Sequence, residues 1–399
     1  MRAPAAITPL LNPRLSGFQS LDGACRYGMV DLFEGCPAAR ATGRPVSVAA
    51  VYDGVPLNLP TCGPGIERFG EWLPYTRFAG LGEGGTPLVA LPEWSHGLAL
   101  ESVLLKRESA NPSGSHKDRM SPLAVARAVD GGAPGVICAS SGNAAISAAL
   151  YAAAAGIACR IVTTPALTDA YRRLLVRAGA EIVATAKPLD RWRLVADAVR
   201  QDGWFPITNF SLPPVGSNPF GVEGYKTIAF ELYLEAGPLD AVLVPTSRGD
   251  IIWGIGAGYA ALEEAGLLHR PSPRLIAVEP LPRLEAVLAG RRDVRDTVDG
   301  ATRQFSTAGA TMTDQALRAV VDSGGTAITV ADEAALASQT TLARCGFDLE
   351  LSSAAAHAAL VPLAARGDLS RGERVCLIAT ASSAREPAGD PLPPLVPVA

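Results

Sequence analysis

A lysine in the stretch Asn111-Pro-Ser-Gly-Ser-His-Lys-Asp-Arg119 has the surroundings that carbonyl chemistry needs. The apolar run Ser102-Val-Leu-Leu-Lys-Arg107 reads as a strand and delivers the chain to a Pro/Gly turn. Beyond it, Met120, Leu123, Ala124, Ala126 and Val129 fall on the helical period. Lys117 is therefore expected in the first turn of a helix, beside backbone amides with no intrahelical partner. A positive helix end disfavours an ammonium, and burial lowers a lysine pKa further. Both effects make the amine a better nucleophile toward an aldehyde. The chain has four lysines, Lys106, Lys117, Lys187 and Lys226, so candidates for Schiff-base chemistry are few. Taken alone, the segment reads as an exposed lysine in a helix-start loop.

Other junctions of the same kind follow. Ser140-Ser-Gly-Asn-Ala-Ala145 comes after a strand pattern and before a helical one, the setting where ligands bind at the carboxyl ends of parallel strands. Hydroxyls and free amides there make a cradle for a carboxylate, although Ser and Asn also favour plain helix caps. Val244-Pro-Thr-Ser-Arg-Gly-Asp-Ile-Ile-Trp-Gly-Ile-Gly256 holds the next strand–loop–helix junction. Its glycines 254, 256 and 258 fall on the helix, where they permit close packing. Arg374-Val-Cys-Leu-Ile-Ala-Thr-Ala-Ser-Ser383 is a buried-strand pattern that ends in hydroxyls.

Asn111 to Arg119 resembles the cofactor-lysine motif of threonine synthase-like enzymes, members of the fold-type II (tryptophan synthase beta-like) pyridoxal phosphate-dependent family. Further matches come in family order: Gly82-Glu-Gly-Gly-Thr-Pro-Leu88, Ser140 to Ala145, Asn218-Pro-Phe-Gly-Val-Glu-Gly-Tyr-Lys-Thr227 and Ser352-Ser-Ala-Ala-Ala356. Five ordered motifs across roughly residues 76 to 385 are hard to produce by chance. The resemblance implies pyridoxal 5'-phosphate in a cleft, bound to Lys117 as a Schiff base, with Lys117 then serving as the base at the substrate Cα. It implies Asn143 on the cofactor's phenolic oxygen, and Ser140, Ser141, Gly142 and Ala144 around the substrate carboxylate. The cofactor phosphate would fall to Thr246, Ser247, Arg248, Gly249 and Asp250, with Arg248 adding a charge-assisted bond and Asp250 turned outward. That loop is usually glycine-rich in the family, and here it keeps one glycine. Thr380, with Ser382 as second choice, would meet the pyridine nitrogen, where a neutral hydroxyl leaves the nitrogen largely unprotonated. His116 reads as a packed histidine and Glu279 as a cap. Glu223 and Lys226 sit where the family recognises substrate or braces a lid, and they read equally as a surface ion pair.

The implied activity is an amino-acid lyase or synthase resembling threonine synthase. It would deprotonate Cα and eliminate or replace a β- or γ-substituent, phosphate being one candidate leaving group. Two alternatives stand beside it: β-elimination or β-replacement on a serine-like amino acid in specialised metabolism, and an inactive binder that has kept the fold. The expected partners are a small amino acid and a second copy in a homodimer.

Composition sets the outer bounds. With 399 residues, 48% of them hydrophobic and 19% charged, the chain is neither disordered nor a polyelectrolyte. A net charge of −4 gives no nucleic-acid surface, and Arg172, Arg173, Arg177, Arg191 and Arg193 read as solvated helix faces. No apolar run is long enough to span a membrane and the first residues lack a signal-peptide core, so a cytoplasmic protein is expected. Seven cysteines without a pattern argue against a disulfide framework, and Cys138, Cys159 and Cys376 read as core. Some threonine synthase relatives carry paired Cys-x-x-Cys knuckles near the N-terminus; Cys36-Pro-Ala-Ala39 keeps one member of such a pair. Cys25 and Cys36 fall short of four zinc ligands, so no metal is expected.

Apolar runs alternating with helical patterns predict an α/β protein: two three-layer α/β domains with mainly parallel sheets, plus a small N-terminal appendage. The expected boundaries are 1–75 for the appendage, 76–122 with 214–385 for a large cofactor-binding domain, 123–213 for a small domain, and 386–399 for an irregular tail. Strands are predicted at 46–52, 102–107, 135–138, 159–163, 181–184, 241–244, 275–278, 327–330 and 375–378. Helices are predicted over 144–155, 169–178 and 191–200, and from near Ile251, Asp314, Asp332 and Ser353. Residues 281 to 313, polar and rich in arginine, show no clear period.

Overall fold

The apolar runs become two sheets, each with its strands' carboxyl ends feeding the loops singled out above. In the computed structural model, which describes residues 7–165, 167–187 and 190–386, the larger sheet has six strands. Their order is Ala327–Thr329, Arg274–Glu279, Ala241–Pro245, Arg374–Ile378, Ser102–Lys106 and Leu88–Ala90. All pair in parallel except the edge strand Leu88–Ala90. A strand covered on both faces needs no polar alternation, and Ala241–Pro245 is accordingly buried at every position. The smaller sheet is wholly parallel, ordered Glu181–Ala184, Ala158–Thr163, Gly135–Ala139 and Phe205–Pro206. Predicted strands and helices lie within a few residues of the observed ones, such as Asn143–Ala155 for 144–155 and Leu351–Ala358 for a start near Ser353.

Helix Lys117–Asp130 leaves the larger sheet and packs on Asn143–Ala155, which leaves the smaller one. Ala148, Ala149 and Ala152 of that second helix are buried and let the helices approach closely. One core runs continuously from the smaller sheet through these helices to the inner face of the larger sheet.

Residues 7–75 hold more strand than their sequence suggests. Besides Val48–Tyr52, Leu15–Ser20 and Arg26–Tyr27 form a three-stranded antiparallel sheet, and Leu10–Leu11 pairs with Tyr75–Arg77. Gly17 interrupts the apolar alternation for a steric reason: at φ +147° a Cβ there would stand 2.0 Å from the Tyr27 carbonyl oxygen. This small sheet packs into the common core, with Phe18 edge-on to Phe220 at 4.9 Å and Trp72 against Phe230 at 5.2 Å. All seven cysteines are free, and buried Cys36 shares a hydrogen bond with the Tyr27 hydroxyl at 3.2 Å. Among the described residues no group of His, Cys, Asp or Glu is arranged to hold a metal, and no helix is long and apolar enough to cross a membrane. The expected tail from residue 387 onward lies outside the described residues.

Candidate active site

Lys117 opens the helix Lys117–Asp130, half-buried, with its Nζ donating to the Tyr225 hydroxyl at 3.3 Å. Burial holds its ammonium form below the usual lysine range; the Asp250 carboxylate opposes that shift and the Arg248 charge adds to it. The other lysines differ. Lys106 is fully buried and bonded to Glu231 and Glu235, both at 2.8 Å, and to the Thr86 carbonyl. Lys226 is paired with Glu223 and lies over the Tyr52 ring; both members of this pair are buried, which corrects the expectation of a surface pair. Lys187 is exposed.

His116, just before Lys117, is buried as expected, its Nδ1 at 3.1 Å from the Thr380 carbonyl and its ring tilted on Tyr225. Burial first, then the Lys117 charge, keeps it neutral well below the usual histidine range. Thr380 stands just past the strand Arg374–Ile378, with its hydroxyl 2.6 Å from that of Ser353. The fallback Ser382 turns away to Asp348 at 3.0 Å.

Asn143 begins its helix buried and held from both ends. Its Oδ1 accepts from the Tyr171 hydroxyl at 3.1 Å, and its Nδ2 donates to Glu350 Oε2 at 3.0 Å. Ser306 also donates to Glu350, at 2.8 Å. Glu350 is 2% exposed, and burial raises it to about 7 despite those hydrogen bonds. Its Oε1 is buried with no partner among the described residues. Phe305 lies across Gly142, where an added Cβ would meet the ring at 3.3 Å.

At the 140–144 junction, the Gly142 amide donates to the Ser140 hydroxyl at 3.2 Å. The Ser141 hydroxyl accepts from Thr163 and from Arg191 Nη1, both at 3.0 Å. Arg191 is therefore no solvated helix-face cation; it turns inward, against the reading of the sequence. In the 246–250 loop, the Thr246 hydroxyl bonds back to the Val244 carbonyl at 2.7 Å, and Ser247 is half-buried. Gly249 holds φ +101°, and a Cβ there would fall 2.1 Å from Ala316, so glycine is required at this bend. Asp250 is turned to Ser217 and Gln315, accepting from the Ser217 hydroxyl and from Gln315 Nε2 at 2.6 Å each. The Arg248 guanidinium lies 5.2 Å from the centre of the Trp192 ring, and its Nε is buried with no partner among the described residues.

Glu279 caps as expected, accepting from the Glu285 amide at 2.9 Å, and it also pairs with Arg283. Sequence reasoning missed Glu350, Tyr171, Phe305, Ser306, Ser353 and Arg191 as residues of the cleft. Glu350 left one signal, an acid placed directly before the helix start that carries the Ser352 to Ala356 match.

Known proteins resemble this chain over most of its length. A family model for the pyridoxal-phosphate dependent enzymes matches residues 80–381. The chain is 31% identical over 339 residues to a threonine synthase of Methanocaldococcus jannaschii, covering 81% of each protein. It is 33% identical over 322 residues to a threonine synthase of Mycobacterium tuberculosis, covering 79% of this chain and 85% of the relative. Maize serine racemase superposes with a TM-score of 0.64 at 20% identity, over 74% of this chain and 88% of that one. The processed threonine deaminase isoform 2 of Solanum lycopersicum gives 0.62 at 21% identity, over 74% and 79%. At those identities the two solved structures speak for the fold alone.

Proposed function

The chain belongs to the pyridoxal-phosphate dependent enzyme family, and from that premise we propose an amino-acid lyase or replacement enzyme acting on a substrate with a leaving group at Cβ or Cγ. The observation that carries this reading is Lys117 itself. Among the described residues it is the lysine that lines the cleft with a tyrosine hydroxyl for a partner and no carboxylate ion pair. The surroundings fit pyridoxal phosphate: the buried Arg248 Nε and Glu350 Oε1 lack partners among the described residues, and Gly249 adds no side chain to the 246–250 bend. When bound, pyridoxal phosphate supplies the electron sink for the bond broken at Cα.

The residues then divide the work. Lys117 holds the cofactor and, with its ammonium form disfavoured, receives the Cα proton on Nζ. The Tyr225 hydroxyl aims that amine. Residues 140–144, at the start of Asn143–Ala155, receive the substrate carboxylate on hydroxyls and free amides. Asn143, braced by Tyr171 and Glu350, fixes the cofactor ring, and the Thr380–Ser353 pair offers the ring nitrogen a neutral hydroxyl. Backbone amides of residues 247–250 cradle the phosphate, the Thr246 amide being bonded to the Val278 carbonyl. The larger sheet, with residues 76–122 and 214–385, forms the cofactor domain in this reading, and 123–213 the small domain.

The test is a substrate screen on the purified holoprotein in deuterated water, read by mass spectrometry. Amino acids bearing a hydroxyl, acyl ester or phosphate ester at Cβ or Cγ are offered. Loss or replacement of that group is expected. Racemisation with the side chain intact for every substrate, or retention of the Cβ or Cγ group in all of them, would overturn the proposal.

A further inference from the structure

Gly142 stands in the middle of the proposed seat for the substrate's α-carboxylate, and the side chains on either side of it are already engaged. Ser141 accepts from Thr163 and Arg191, and Asn143 is held by Tyr171 and Glu350. Over Gly142 itself lies Phe305. A Cβ at Gly142 would stand 3.3 Å from the Phe305 ring and 3.9 Å from the Tyr171 hydroxyl.

The turn that carries the ring holds it in place. Phe305–Thr307 is a single short turn, with Gln304 before it and Thr307 at its end both buried. Gln304 Nε2 donates to the Val330 carbonyl at 2.8 Å. The Ser306 amide donates to the Ser352 hydroxyl at 3.2 Å, and the Ser306 hydroxyl to Glu350 at 2.8 Å. Swinging the turn outward would break all three bonds. Phe305 is half-buried, and it also lines a cavity of about 870 Å³ together with Leu336, Leu349, Leu351 and Glu386. One aromatic ring therefore borders both the seat and the space beside it.

A closely packed wall resists a group too large for the room it leaves, because a neighbour must then move. We propose that Phe305 is a specificity-determining residue: it closes the seat against this cavity and sets an upper size for the group at Cβ or Cγ of the substrate. The class that fits is an amino acid with a compact leaving group, such as a hydroxyl, acetyl ester or phosphate ester, and not an aromatic or long-chain one. This rests on the proposed reading of residues 140–144 as the α-carboxylate seat.

The experiment uses the full-chain holoprotein and follows the visible absorbance of the lysine-bound cofactor. Serine, homoserine and the O-benzyl ether of each are titrated in turn. Phe305→Ala takes away a phenyl ring, and the ether supplies one. In the native protein the free amino acid is expected to bind about tenfold or more tighter than its ether. Phe305→Ala should shift that ratio by about tenfold or more toward the ether, and Phe305→Leu by a smaller factor. Urea midpoints identify a variant that fails to fold, and Phe305→Leu carries the test if Phe305→Ala does. A ratio unchanged in the folded variants overturns the wall, even where both ligands weaken together, as a purely structural role would have it. Native protein that binds the ethers as tightly as the free amino acids also overturns it. Both of these outcomes leave the lyase reading intact. If neither serine nor homoserine alters the native absorbance, the reading of residues 140–144 fails and the wall fails with it.

Discussion

Lys117 and Arg119 stand two residues apart on one helix, and their surroundings are opposite. Arg119 is fully buried and saturated: Glu108 at 2.6 Å, Glu231 at 2.7 Å, and the hydroxyls of Thr227 and Thr86. Lys106 joins the same cluster through Glu231, whose carboxyl is held well below the usual range because the Arg119 and Lys106 charges outweigh its burial. Lys117 is half-buried and has a tyrosine hydroxyl for a partner. The helix thus separates a charge used to lock the fold from an amine left short of partners. Saturated pairing fixes a protonation state, whereas sparse pairing leaves a proton free to move.

The largest effect should come from exchanging these roles. Lys117→Ala is expected to abolish both turnover and the visible band of the lysine-bound cofactor. Lys106→Ala, where it folds, should retain the band, since its amine faces Glu231 and Glu235 inside the cluster. Peptide mapping after borohydride reduction checks this directly, and cofactor found on any other lysine would break the comparison.

Next in size is the lock. Arg119→Leu strips the counter-charge from Glu108 and leaves Glu231 with Lys106, and removing one member of a buried ion cluster costs about 3–5 kcal/mol. Urea denaturation measures the loss. A change below about 1 kcal/mol would mean that the cluster contributes little beyond specifying the packing.

The smallest expected effect sharpens the other side of the contrast, the poorly paired cleft. Burial first raises Glu350 to about 7 from an ordinary value of 4.5, with Glu386 adding to the shift. The folded chain therefore binds this proton more tightly than the unfolded chain does. The stability it contributes is full below about pH 4.5 and is lost as pH rises through about 7. Glu350→Gln should flatten that decline in the cofactor-free protein by up to about 3 kcal/mol. Urea midpoints at acid and neutral pH read it, as a difference that removes the similar contribution of Asp118, which burial raises to about 6. An unchanged slope would place Glu350 in the saturated class with Glu231.

How much of this could be read beforehand follows from where each signal lives. Strand-to-helix junctions are local, so the change of period around residues 106–117, 139–143 and 245–250 marks the junctions where Lys117, Asn143 and the 246–250 loop stand, while their place in a cofactor site is implied by the family resemblance. Contacts made across the cleft are not local. Phe305 and Ser306 come from an aperiodic stretch, and Tyr171 sits on a helix whose pattern says only which face is apolar. Arg191 reads as one more surface arginine until the fold turns it onto Ser141. The strand Leu15–Ser20 was obscured because Gly17, required by the close approach of Tyr27, breaks the alternation that identifies strands.

The small N-terminal sheet has a practical side. Phe18, Phe69, Trp72 and Tyr75 are interior residues of the same core as Phe220 and Phe230, with Phe69 lying 5.4 Å from Phe230. A protein engineer who trimmed the chain to begin at residue 76 would take away half of an aromatic contact and leave the other half facing water. Exposed apolar surface of that kind promotes association between molecules. The shortened protein would be smaller on paper and stickier in solution, so fusion partners and affinity tags belong ahead of residue 7.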